Sequence, residues 1–541
     1  MDVEEFRKFG KATVDYLANY FETIRERPVL PRVEPGYLQN LLPREAPTYS
    51  EKWEDIMEDM DKVIMPGVSF VVQLGDRGTH THSQPTTQLS TFFQVTHWQS
   101  PKFHAYFPTS CSYPGIVGEL LSAGLGIVGF NWMASPACTE LEVITLNWLG
   151  KLLGIPKTFL GSHDGPGGGV IQGSASESTF VCLLAAKHRK LRKILEEHPD
   201  LDEAFIKGKM VAYASDQSNS SVEKAGILGS MPMRLLKTDG KGSVRGEVVL
   251  EAIKQDMDKG LIPTYVRITI MASFNLNNFL LVSPNSSTQT VLQFCATLGT
   301  TVTCGFDNLE EIGPICRAHD IWMHVDAAYA GAAFICPEFR YIMAGVELAD
   351  SFNFNPHKWL LVNFDCSALW VKDANWLTDA FKVERVYLKH KKEGVSCAPD
   401  YRDWQVPLGR RFRSLKLWIT LRSYGQTGLQ NHIRQQIGLA KEFNDLVKQD
   451  SRFEVPVEAV MGLVCFRLKG INDLTICMQD KLMVRGNIYT IAGTFQGVFF
   501  IRFVICSQST TSDDVVYSWK EIQHVATQVL REHQIDKQTE N

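Results

Sequence analysis

The spacing of hydrophobic positions changes several times along this chain, and each change marks an element. Phe6, Val14, Leu17 and Phe21 recur at helical spacing before Pro28, Pro31 and Pro35 break the pattern. Trp53, Ile56 and Met57 begin a further amphipathic stretch. An arm this long has little to pack on within itself, so it is expected to dock on a partner subunit or on the chain's own large domain. Ser135-Pro136 opens another helix, with Glu140 in its first turn and Leu141, Ile144 and Leu149 on one side. Past residue 200, short apolar runs alternate with amphipathic helices, predicting strands over 209–213, 234–236, 295–301, 322–325, 351–354 and 368–371. That alternation predicts an α/β fold: a mainly parallel sheet flanked by helices on both faces. After Pro407 the pattern reads as a smaller α+β unit. The expected division is an N-terminal helical arm over 1–112, a large α/β domain over 113–415 and a small C-terminal α+β domain over 416–541.

Composition narrows this little. The 541 residues carry a net charge of -5, which argues against a nucleic-acid or anionic-membrane surface. The weakly charged stretch from Leu120 to Cys138 contains Asn131 and Pro136, so it reads as buried protein rather than a membrane span. The start, Met1-Asp2-Val3-Glu4-Glu5, lacks the basic and apolar regions of a secretory signal. Twelve cysteines are scattered without metal spacing, as expected of reduced thiols in a cytoplasmic protein.

The chemistry concentrates in two strand ends, His324-Val325-Asp326-Ala327-Ala328-Tyr329 and Asn353-Phe354-Asn355-Pro356-His357-Lys358-Trp359. A lysine and an aspartate delivered to one cavity suit pyridoxal phosphate. The amine condenses with its aldehyde, and the carboxylate keeps its ring nitrogen protonated so that the ring accepts electrons. Burial beside Trp359 and Leu360-Leu361-Val362 disfavours the ammonium form of Lys358 and favours attack. The plain alternative for any such pair is a buried salt bridge. Gly165 to Gly169, followed by Gly173-Ser174-Ala175-Ser176 and a helical run, is read as a phosphate cradle at a helix N-terminus, against the alternative of a tight turn. An aromatic, polar-tipped loop from His97 to Thr109 suits the grip of an aromatic ring. The polar segment from Val386 to Asp403 reads as a loop able to close over a site.

With these words in hand, the chain resembles the group II pyridoxal-phosphate-dependent amino-acid decarboxylases, aromatic branch, whose fold is type I of that cofactor's enzymes. Tyr106-Phe107-Pro108-Thr109, Ser135 to Glu142, Gly173 to Glu177, Asn353 to Trp359 and Gly409 to Lys416 carry the resemblance over nearly the whole length. It implies Lys358 as the imine-forming lysine, Asp326 as the partner of the ring nitrogen and Ala328 packed under the ring. It implies Ala175, Ser176 and Asn355 at the phosphate, and Thr301 and His357 beside the cofactor. Tyr106, Phe107 and Thr109 would meet the substrate. Tyr387 would donate a proton to the substrate Cα. It further implies a two-fold homodimer, in which Phe130 and the Tyr387 loop reach the partner's pocket.

One departure bears on the product. Amine-forming members place histidine where this chain has Asn219, in Ser218-Asn219-Ser220. Asparagine neither titrates nor stacks as an aromatic ring, so the carbanion left by CO2 loss would persist and meet O2. In this the chain resembles the insect aromatic acetaldehyde synthases. That resemblance implies conversion of L-dopa to 3,4-dihydroxyphenylacetaldehyde with CO2, NH3 and H2O2; a conventional decarboxylase forming dopamine is the alternative. Two stretches, 68–94 and 266–293, fit neither pattern nor family. Each begins with Val, ends with Gln and has ends encodable as intron borders, so both are read as in-frame introns retained in the coding sequence, against the alternative of a genuine lineage-specific loop, which the first stretch taken alone would favour. Mature transcripts that contain both segments would refute this. The second stretch interrupts an expected central strand, where added length is costly.

Overall fold

The computed structural model describes residues 1–22, 33–65, 98–258, 290–383 and 399–539. Seven strands, β1 (Gly168–Gln172), β2 (Met210–Ser215), β3 (Met233–Leu236), β4 (Thr290–Thr297), β5 (Trp322–Asp326), β6 (Ser351–Phe354) and β7 (Ser367–Val371), form one sheet in the order β1-β7-β6-β5-β4-β2-β3. The pairs from β6 through β3 are parallel, and β7 runs antiparallel to both its neighbours. Every residue of β1, β2, β5, β6 and β7 is buried. β2 and β7 are accordingly near-continuous apolar runs, as a sheet covered on both faces favours, whereas β6 alternates and buries the polar Ser351 and Asn353 beside Phe352 and Phe354.

The helices α1 (Val3–Glu22), α2 (Tyr37–Leu41), α3 (Trp53–Asp59), α4 (Tyr113–Leu125) and α5 (Pro136–Leu153) precede the sheet, and α6 (Ala175–Glu197) follows β1. The N-terminal arm docks on its own chain: Phe6 stacks on Tyr113 at 4.4 Å and Phe9 on Trp53 at 5.3 Å. Glu140 secures it. Wholly buried in α5, it accepts the N–H groups of Gly36 and Leu38 at 2.9 and 3.0 Å and Trp132 Nε1–H at 2.8 Å. Glu140→Ala strands three buried donors and is expected to cost on the order of 3 kcal/mol, read from chemical unfolding.

Two strand boundaries differ from the sequence reading. Gly168–Gln172 is a strand, where the run of glycines reads as a turn. The strand expected over 295–301 runs over Thr290–Thr297 instead. It stops where Gly299 adopts φ 101° and the N–H groups of Gly299 and Thr300 both turn to the Gly305 carbonyl. The end of the second extra stretch thus lies inside β4. There the pairing with β2 steps from Val211↔Val291 to Ala212↔Gln293, leaving Leu292 as a bulge. The rest of that stretch, and all of 68–94, lie outside the described residues.

A second, antiparallel sheet of β8 (Phe453–Val460), β9 (Leu463–Leu468), β10 (Ile491–Phe495) and β11 (Val498–Val504) has the order β10-β11-β9-β8. The helix Ser414–Gln449 joins it to the large sheet, so the boundary expected at 415/416 falls in that helix's first turn. It kinks at Gly425 (φ 62°), where a Cβ would approach the Tyr49 backbone to 2.5 Å. Among the described residues, no helix is long and apolar enough to cross a membrane.

Candidate active site

β1, β2, β4, β5 and β6 run in one direction, and the residues just past their carboxyl ends form the candidate site, where open α/β sheets bind ligands. Asp326 closes β5, and Lys358 lies one helical turn beyond β6. The two segments are laced together: Ala327 N–H donates to Asn353 O at 2.9 Å and Asn355 N–H to Ala328 O at 3.0 Å. No ion pair joins Lys358 to Asp326, yet each feels the other's charge. Burial pushes the lysine below its ordinary value and the aspartate above its own, and their mutual attraction opposes both shifts. Asp326 Oδ1 accepts the Ala328 N–H at 3.0 Å, which fixes the carboxylate's direction.

Beside them, Phe107 lies with its ring centroid 5.9 Å from Lys358 Nζ and stacks on Tyr329 at 3.7 Å; Tyr329 stacks in turn on Trp359 at 4.7 Å. Thr109 Oγ1 donates to the His357 carbonyl at 3.1 Å. His357 Nδ1 accepts the Cys366 N–H at 2.9 Å, and burial lowers its pKa to about 3, so the ring is neutral and Nε2 carries its proton. The Gly409–Lys416 word frames this loop. Arg413 Nη2 donates to Asp365 at 2.8 Å, next to Cys366, and Arg410 forms a fully buried pair with Glu142, which accepts the Ile171 N–H at 2.7 Å.

Asn219 caps the helix Ser220–Leu228, accepting the Ser221 N–H at 3.0 Å, and its Nδ2 donates to Thr301 Oγ1 at 3.0 Å. Two residues singled out 82 positions apart thus meet. At the α6 N-terminus, Ser174 Oγ accepts the Glu177 N–H and Glu177 accepts the Gly173 N–H. The N–H groups of Ala175 and Ser176, which have no carbonyl one turn back, stay available to an anion. Asn355 Oδ1 is buried and has no partner.

The glycine-rich run does not belong to that cradle. Gly168 and Gly169 lie inside β1, at the end of the strand away from α6. Their lack of a side chain serves packing: a Cβ on Gly168 would reach the Trp404 ring at 2.4 Å, and one on Gly167 the Thr158 and Val371 carbonyls at 2.4 Å. Tyr106 is 42% exposed and turns to Tyr489, OH to OH at 3.2 Å, and to Trp98 at 5.6 Å, with no contact to Lys358 among those described. Phe130 is half-buried, its carbonyl held by the Arg402 N–H. Tyr387 and its loop lie outside the described residues.

The chain is similar to known proteins along most of its length. Its residues 84–281 and 281–469 match the pyridoxal-dependent decarboxylase conserved domain. The chain belongs to the pyridoxal-dependent decarboxylase family. The two matches meet at residue 281, inside the second extra stretch. The chain is 49% identical over 532 residues to the aromatic-L-amino-acid decarboxylase of Drosophila melanogaster, covering 98% of this chain and 93% of that one. It is 48% identical over 522 residues to the 3,4-dihydroxyphenylacetaldehyde synthase of Aedes aegypti, covering 96% and 89%. A solved Oryza sativa TDC with PLP and tryptamine shares the fold at a TM-score of 0.72 and 33% identity, covering 98% and 99%. The protein is a pyridoxal-phosphate-dependent carboxy-lyase. The residues present fit that cofactor: a buried carboxylate for its ring nitrogen, a depressed lysine for its aldehyde, and free N–H groups with an orphaned amide oxygen for its phosphate.

Pattern reading does not disclose Tyr329, the stacking partner of Phe107, or Arg502, which lies 5.0 Å from the same ring. A sequence signal for Arg502 exists: it is the one charged residue in the apolar run of β11.

Proposed function

We propose that this enzyme couples decarboxylation of an aromatic L-amino acid to oxidative deamination, and that its substrate is L-dopa. The reaction consumes L-dopa, O2 and water, and releases 3,4-dihydroxyphenylacetaldehyde, CO2, NH3 and H2O2. Bound at Lys358, pyridoxal phosphate supplies an electron sink for the charge left on the substrate carbon when CO2 departs. Asp326, raised by burial, provides the hydrogen-bonding carboxyl at the ring nitrogen. Ala175, Ser176 and Asn355 hold the phosphate, with His357 and Ala328 packed beside the ring. Phe107 and Thr109 line the substrate's aromatic side, together with Tyr106 at the rim.

The observation that carries the aldehyde reading is Asn219. Its amide is engaged by the helix cap and by Thr301, and it has no titratable proton to return to the substrate carbon. A carbon left unprotonated for longer is open to O2. Tyr387 remains as a proton donor, so some amine accompanies the aldehyde. Product analysis with L-dopa tests this: peroxide should track CO2 under air and vanish under nitrogen. Dopamine without peroxide under air would leave the conventional decarboxylase.

A two-fold homodimer belongs to the same reading. Exposed apolar side chains on the segments around the site, Val128 (51%), Phe364 (61%), Val406 (57%) and Leu408 (51%), support a covered surface there. Light scattering is expected to give twice the 60.9 kDa of one chain, and a monomeric mass would reject the dimer.

A further inference from the structure

β11 belongs to the small antiparallel sheet, yet its one charged side chain reaches the candidate site. Arg502 is 2% exposed. Its Nε donates to the Val302 carbonyl at 3.0 Å, its Cζ lies 5.0 Å from the Phe107 ring centroid, and Nη2 is buried without a partner. No carboxylate pairs with it among the described residues. An uncompensated buried guanidinium is costly, and burial lowers its pKa accordingly. Of the two groups it holds, one borders Lys358 and the other leads to Asn219. Phe107 presents its ring 5.9 Å from the lysine amine, and Val302 follows Thr301, whose hydroxyl receives the Asn219 amide. The positive charge of Arg502 also adds to burial in depressing Lys358.

We propose that Arg502 is a positioning residue for the decarboxylation, holding Phe107 and the Thr301–Val302 segment so that the substrate's aromatic ring is oriented beside Lys358. A planar guanidinium donates to a carbonyl and packs against an aromatic face at once. A lysine at this position retains the charge and the donor but loses the planar contact. The proposal rests on the reading of Phe107 as a substrate-facing ring, and it holds whether the product is aldehyde or amine.

The test uses the holoenzyme and four variants: R502K, R502M, F107L and R502K/F107L. CO2 release with L-dopa gives kcat and KM. Calorimetry gives Kd for 3-(3,4-dihydroxyphenyl)propanoate, an aromatic acid that lacks the reacting amine. F107L and R502M should each raise KM and Kd roughly tenfold, with a smaller change in kcat, and R502K roughly threefold. R502K/F107L should be no worse than F107L, because the two side chains act through one contact. If R502M fails to fold, R502K and the double variant decide. Unchanged KM and Kd in R502K beside a defective F107L overturns the role of Arg502 alone, and so do effects that multiply in the double variant. An F107L enzyme with wild-type KM and Kd overturns the reading of Phe107, and this assignment with it.

Discussion

Lys358→Ala is expected to lower CO2 release by about 10³-fold or more, the scale on which a positioned reacting group contributes. Folding should survive. Among the described residues Lys358 forms no ion pair; its backbone N–H bonds to Asn355 O and its carbonyl accepts the Cys506 thiol, so the helical turn that carries it is held through its own backbone groups. Removing a buried amine whose ammonium form is already disfavoured also removes a desolvation cost. Borohydride treatment gives a readout independent of turnover. The wild-type peptide containing Lys358 should gain the mass of a reduced cofactor, and the variant peptide should not. A variant that is labelled elsewhere and still releases CO2 at the wild-type rate would remove Lys358 from the chemistry.

The second large effect concerns the product. Asn219→His should cut peroxide formed per CO2 at least about tenfold and raise amine output to match, since an imidazole with an ordinary pKa near 6.5 supplies the proton that an amide lacks. Asn219 also caps a helix, and histidine caps poorly, but the loss is about 1 kcal/mol. Such a penalty lowers the unfolding midpoint slightly and leaves the product ratio untouched. The hydrogen bond to Thr301 Oγ1 remains within a histidine's repertoire, so the variant is expected to keep its cofactor. Equal peroxide per CO2 in the variant and the wild type would dispose of the role given to Asn219.

The strands at β2, β5, β6 and β7 were legible within a residue or two: β2 and β7 as the apolar runs that burial on both faces favours, β5 and β6 from the large apolar side chains of Trp322, Met323, Val325, Phe352 and Phe354. The placement of Asp326 and Lys358 was legible for a related reason: polar residues at the end of such a run fall at the sheet's carboxyl edge. The glycine-rich turn misled. Gly168 and Gly169 offer the same signal whether the missing Cβ makes room for a phosphate or for the Trp404 ring, and only the neighbouring chain distinguishes these. Nor does local pattern show that Glu140, at the start of α5, grips Gly36 and Leu38 a hundred residues earlier.

Sequence alone determined the fold class and the lysine–aspartate pair, since each is a matter of residue type at a fixed distance from a strand end. Tertiary structure decided which side chains surround that pair. Asn219 meets Thr301, Phe107 stacks on Tyr329, and Arg502 arrives from a separate sheet. Those meetings depend on how two sheets pack across a long helix, and contacts between residues hundreds of positions apart leave no periodic trace in the chain.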